Sequence, residues 1–136
     1  MTKLSCVAVG LALTAVAVAD ASAPPRAQRS SAKRPAAVVV KTIGNELTFV
    51  PATVVIKQGE TVEWQNLSTQ LHTVTADALK ATSKADVVLP KGAAPFDSGY
   101  MKPGQNYTHR FTVRGTYRYV CTLHEVQGMK GEIVVK

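Results

Sequence analysis

From Val38 onward the chain is a succession of short β-branched and aromatic runs split by Gly, Pro and Asn. Candidate strands are Val38–Ile43, Leu47–Val50, Thr53–Lys57, Thr61–Asn66, His72–Thr75, Tyr107–Val113, Thr116–Cys121 and Glu132–Lys136. No long stretch keeps a helical period, and one short helix is expected within Asp77–Val87. Many short strands with turn residues between them argue for an all-β sandwich or barrel of about eight strands. With 136 residues there is room for one domain of ordinary size. The span from Ala76 to Gly104, with Pro90, Pro95 and Pro103, is a long crossover between sheets.

Side chains alternate across a strand, so sequence phase sorts the faces. Val62 and Trp64 share an inward face, as do Tyr107, Phe111 and Val113, with His109 in phase with them. Tyr117, Tyr119 and Cys121 point together. Cys121 therefore ends a strand on its inner side, shielded from water and backed by aromatic rings. Trp64 reads as core, and Met101 as a loop residue at the surface or in packing.

Residues 1–19 hold Lys3 and then a 16-residue uncharged apolar run from Leu4 to Ala19. The run is shorter than the roughly 20 residues of a spanning helix and ends in small residues, the pattern of a secretory signal peptide. Cleavage is expected after Ala19 or Ala21. Residues 20–36, with three prolines and Arg26, Arg29, Lys33 and Arg34, read as a basic linker or tail, and residues 37–136 as the domain. Of the two cysteines, Cys6 lies in the leader. The mature chain then carries Cys121 alone, without an internal disulfide partner, in an oxidising compartment. A lone thiol there calls for burial or a metal.

The metal reading rests on one loop. Cys121-x2-His124-x4-Met129 places a thiolate, an imidazole and a thioether between two strands, with Gly128 free to reverse the chain. His72, at the head of another strand, can supply a second imidazole. Two His nitrogens, one thiolate and a weak thioether are the donor set of a blue-copper electron-transfer site, whereas structural zinc prefers four good ligands. His109 reads as a partly buried core histidine, and Asp97 and Ser98 as loop hydrogen-bonders. The sequence carries no phosphate-binding glycine loop, no paired carboxylates and no basic-aromatic stripe for nucleic acid.

Four stretches carry a family resemblance that spans Val38 to Lys136. They are Leu47–Pro51, Lys57–Asn66, Phe96–Gly99 and Gly115–Met129. They resemble the cupredoxins, and the His-to-Met spacing of the ligand loop resembles plastocyanin and pseudoazurin rather than the shorter amicyanin type. The resemblance implies a Greek-key β-sandwich and one type-1 copper ion. His72, Cys121 and His124 would be equatorial ligands and Met129 the axial one. It also implies a monomeric electron carrier, not an enzyme, exported to the periplasm or a thylakoid lumen. Partners would be redox proteins, such as cytochromes and copper or haem oxidoreductases, docking transiently near His124. A copper-delivery protein is the alternative. Three positions depart from the family pattern: Leu123 stands where Pro is common, Thr73 where plastocyanins have Asn, and Val120 where plant plastocyanins expose an aromatic ring. The formal charge of +7 shrinks on division, because residues 37–136 hold 11 basic and 8 acidic side chains. A mildly basic domain favours an acidic partner if charge steers encounter at all.

Overall fold

The structure is a computed structural model and describes residues 38–136. The expected leader and tail lie outside the described residues. Two sheets face each other. The first holds β1 (Val38–Gly44), β3 (Thr61–Ser68) and β6 (Asn106–Arg110) in the order β1-β3-β6. The second holds β2 (Thr53–Ile56), β4 (Thr75–Ala76), β5 (Phe96–Asp97), β7 (Gly115–Val120) and β8 (Lys130–Val135), in the order β2-β8-β7-β4-β5. β1 runs parallel to β3 and β2 parallel to β8, and the other pairs are antiparallel. The chain thus passes repeatedly between layers, as the expected Greek-key sandwich requires.

Alternation sets the core. In β3, Val62, Trp64, Asn66 and Ser68 turn inward while the residues between them are half-buried or exposed. Tyr117 and Tyr119 do the same from β7. Trp64 stands at the centre, with ring centroids 5.4 Å from Tyr119 and 6.3 Å from Phe111, and its Nε1–H donates to the Tyr119 hydroxyl at 3.0 Å. That bond satisfies two polar groups that burial would otherwise leave unpaired. Tyr119 faces Gly131 across the β7–β8 ladder, where a side chain would collide with the phenol ring.

Several expectations change. Leu47–Val50 is not a strand: Val50 alone bridges Lys41. The strand expected from His72 begins at Thr75, with His72 held instead by an isolated bridge to Met101. The helix within Asp77–Val87 is one 3-10 turn, Lys84–Asp86, among bends. That stretch lacks an apolar helical face, so its backbone follows the surface of β7, where Val88 bridges Arg118. β5 is a two-residue strand too short to leave a pattern. Of the two places expected for Met101, surface or packing, the structure has the second: it is buried, drawn in by the bridge to His72. Among the described residues no helix is long and apolar enough to cross a membrane.

Candidate metal centre

Cys121 follows the last residue of β7 and His124 follows three residues later, with His124 N–H donating to Cys121 O at 3.0 Å. A one-turn 3-10 helix, Glu125–Gln127, comes next and ends at Gly128 with φ of 92°. Only glycine takes that conformation without strain, and it turns the chain back into β8. Two further backbone bonds close the loop: Met129 N–H to His124 O at 3.1 Å and Cys121 N–H to Met129 O at 3.0 Å. His72 arrives from the other side, exchanging two backbone bonds with Met101.

These elements bring three donor atoms together. His72 Nδ1 lies 3.7 Å and His124 Nδ1 3.5 Å from Cys121 Sγ, and ligand atoms of all three residues fall within 4.8 Å of one another. Nitrogen and sulfur bonds of about 2.0–2.3 Å, set at 120°, place N and S about 3.7 Å apart. The two nitrogen–sulfur separations match that spacing. Cys121 and Met129 are fully buried, His72 nearly so, and His124 is half-exposed. Met129 lies on the same loop, and its backbone is bonded to both Cys121 and His124.

Proton placement suits a metal. The Ser68 hydroxyl donates to Asn66 Oδ1 at 2.7 Å, so its oxygen accepts from His72 Nε2–H at 2.8 Å. That fixes the tautomer, leaving the Nδ1 lone pair aimed at the thiol sulfur. Burial, with the His124 imidazole beside it, holds His72 below its ordinary value of 6.5, which favours the neutral, ligating form. On the sulfur, the Thr73 amide donates at 3.3 Å.

Residues 36–136 match the family described as copper binding proteins, plastocyanin/azurin family. The chain is a cupredoxin of this family. It is 37% identical to plastocyanin of Scenedesmus fuscus over 90 residues, covering 66% of this chain and 88% of that one. It is 32% identical to a chloroplastic plastocyanin of Chlamydomonas reinhardtii, covering 88% and 79%. Among solved structures, a reduced amicyanin variant superposes with a TM-score of 0.58 at 29% identity, covering 76% and 85%. A purple cupredoxin from Nitrosopumilus maritimus shares the fold at a TM-score of 0.57 and 20% identity, covering 73% and 99%. The cupredoxin's cofactor is one copper ion, which the buried nitrogen-and-thiolate set suits.

Around the copper site of this cupredoxin lie groups that sequence patterns do not reveal. Asn66 is buried and fully bonded. Its Oδ1 accepts from Thr42 and Ser68, and its Nδ2 donates to the carbonyls of Gln70 and Met101. It thereby ties β1, β3 and the His72–Met101 bridge into one network. Glu125 is likewise buried, and its carboxylate accepts the amides of Thr82 and Ser83. Only its adjacency to His124 would have flagged it. Val120 is fully buried and paired with Thr75, so no exposed side chain precedes Cys121. His109 stacks on Phe96 at 4.2 Å and plays no part in the donor cluster. Asp97 accepts from the Gly99 amide, the Thr75 hydroxyl and Lys80, and Ser98 accepts the Val74 amide and donates to the Gly99 carbonyl, so both serve as hydrogen-bonders that tie the crossover to β4.

Proposed function

We propose that this cupredoxin is an exported electron carrier in which His72, Cys121, His124 and Met129 would hold the copper. The observation that carries the reading is the convergence of two imidazole nitrogens on one buried thiol sulfur at 3.5 and 3.7 Å. When bound, copper supplies the one-electron Cu(II)/Cu(I) couple. The chain's own part is to hold donors acceptable to both states: hard enough imidazoles, a soft thiolate, and a thioether suited to Cu(I). Three of these four donors sit on a loop whose backbone bonds link Cys121, His124 and Met129 to each other, which limits their motion between states.

Electrons would enter and leave at His124, the half-exposed member of the set. Beside it Leu123 is 39% and Val126 78% exposed, a small apolar surface suited to brief contact with a redox partner. The mild basic excess of the domain favours acidic partners. The leader pattern and the lone cysteine support export to a periplasm or a comparable compartment, with the chain acting as a monomer rather than an enzyme. A full complement of donors leaves no open position for substrate, and a thiolate buried at 0% exposure is hard to unload, against a delivery role.

The test is a copper titration followed by visible absorption. An intense blue band that bleaches on reduction is expected, and Cys121→Ser should abolish it. A colourless Cu(II) complex of the intact protein would overturn the reading.

A further inference from the structure

Beside the donor cluster stands a carboxylate that the copper site does not use. Glu125 directly follows His124 and is 3% exposed. Acidic side chains are almost never buried this far unless paired. Here each oxygen accepts one backbone amide: Oε2 from Thr82 at 2.7 Å and Oε1 from Ser83 at 2.8 Å. The donors belong to the crossover, more than forty residues earlier in the chain.

The loop's other bonds have a different reach. Those between Cys121, His124 and Met129, and those from Gln127 and Gly128, stay inside the loop. Among the described residues, the hydrogen bonds that join the arc from His124 to Gly128 to another part of the chain are the two at Glu125. The arc contains the half-exposed ligand. Without an external tie it is anchored only at its ends, in β7 and β8.

We propose that Glu125 is a positioning residue: its carboxylate, gripped by the Thr82 and Ser83 amides, holds the His124 arc against the crossover and so fixes the imidazole at the copper. The inference rests on the copper reading above. A nearby salt bridge, Lys130 to Asp86 at 2.7 Å, joins the crossover to the first residue of β8, beyond the arc, which makes it the control.

Glu125→Gln keeps the size of the side chain but sets an amide NH2 against one of the two N–H donors. Removal of such an outer partner lowers metal affinity about 10- to 100-fold. Competition with a Cu(I) chelator should show a loss in that range. The midpoint potential should shift as well, because the imidazole that serves both copper states is no longer held in place. Asp86→Asn should leave both unchanged. Glu125→Gln protein that matches wild type, or Asp86→Asn protein that shifts as far, overturns the proposal. A second measurement needs no variant: amide hydrogen exchange in wild-type protein, copper-free against Cu(I)-loaded. Exchange at Thr82 and Ser83 should slow on loading, although neither residue is a ligand, and unchanged exchange there overturns the proposal. Wild-type protein that stays colourless with copper overturns the reading of the site and this inference with it. A blue wild type with an unchanged variant overturns the inference alone.

Discussion

The backbone amide of Thr73 donates to Cys121 Sγ at 3.3 Å, joining the residue after one imidazole ligand to the sulfur of another. The side chain repeats the tie one residue on. Thr73 Oγ1 accepts the Thr122 amide at 2.9 Å, and lies 3.0 Å from the Thr75 hydroxyl, whose proton goes to Asp97, and 3.2 Å from Thr122 Oγ1. Thr73 thus bonds the far side of the Cys121 turn. Thr73→Val keeps the shape and leaves the Thr122 amide, in a half-buried position, without its partner. An unmade bond of this kind costs about 1–3 kcal/mol. Chemical denaturation of the copper-free variant should show a loss in that range, and the blue band should shift as the sulfur moves. An unchanged midpoint and spectrum would mean that the hydroxyl is a bystander.

Ser68 acts on the His72 imidazole itself. Its oxygen is the acceptor for His72 Nε2–H, and its own proton goes to Asn66. Ser68→Ala removes the acceptor and frees the ring to rotate or change tautomer. Copper affinity should fall about 10- to 100-fold while the fold survives, because Asn66 keeps its bonds to Thr42, Gln70 and Met101. Isothermal titration of the copper-free protein reads this directly, and equal affinities in variant and wild type would refute it.

How far the sequence foretold this depends on the range of each signal. Strand faces in β3 and β7 were legible because alternation is local: Val62, Trp64, Tyr117 and Tyr119 turn inward as their phase requires. Cys121 and His124 of the donor cluster were legible because they stand three residues apart on one loop, and His72 because it is one of very few remaining nitrogen donors. The partners of these residues were not. Ser68 and Glu125 look like ordinary polar residues until the chain brings Asn66 beneath one and the Thr82–Ser83 amides against the other. Short elements failed for a related reason. A two-residue strand such as β5 exists only because β4 is there to pair with it. Met101 looked like a loop residue because the bridge that buries it joins segments 29 positions apart.

His109 supplies a pH dependence remote from copper. Its ring stacks on Phe96 and meets Phe111 edge-on, with centroids 4.8 Å apart, and burial lowers its proton affinity below the ordinary 6.5. Above 6.5 the ring is neutral in both folded and unfolded chains. As pH falls through 6.5 the unfolded chain takes up a proton that the folded one resists, so stability declines until the lowered folded value is passed. In copper-free protein, His109→Phe should lose this share of the acid sensitivity. Denaturation midpoints between pH 7.5 and 5 that run parallel in the two proteins would rule it out.

Gly131 tests how tightly the core is bound to the copper strand. It faces Tyr119 across the ladder, and a methyl group there would overlap the phenol carbon that bears the hydroxyl. Tyr119 cannot step aside without losing the Trp64 Nε1–H bond and its edge contact with Phe49, 4.8 Å between centroids. Overpacking of this kind costs about 1–3 kcal/mol, and breaking the buried bond adds to it. Because Tyr119 and Cys121 sit two residues apart on one face, a displaced ring also drags the end of β7. Gly131→Ala should therefore lower the unfolding midpoint by more than Gly92→Ala, whose site is open although its φ of 88° also disfavours alanine. It should shift the blue absorption as well, which Gly92→Ala should leave in place. If both variants lose the same stability and neither moves the band, Tyr119 packing is not what aligns Cys121.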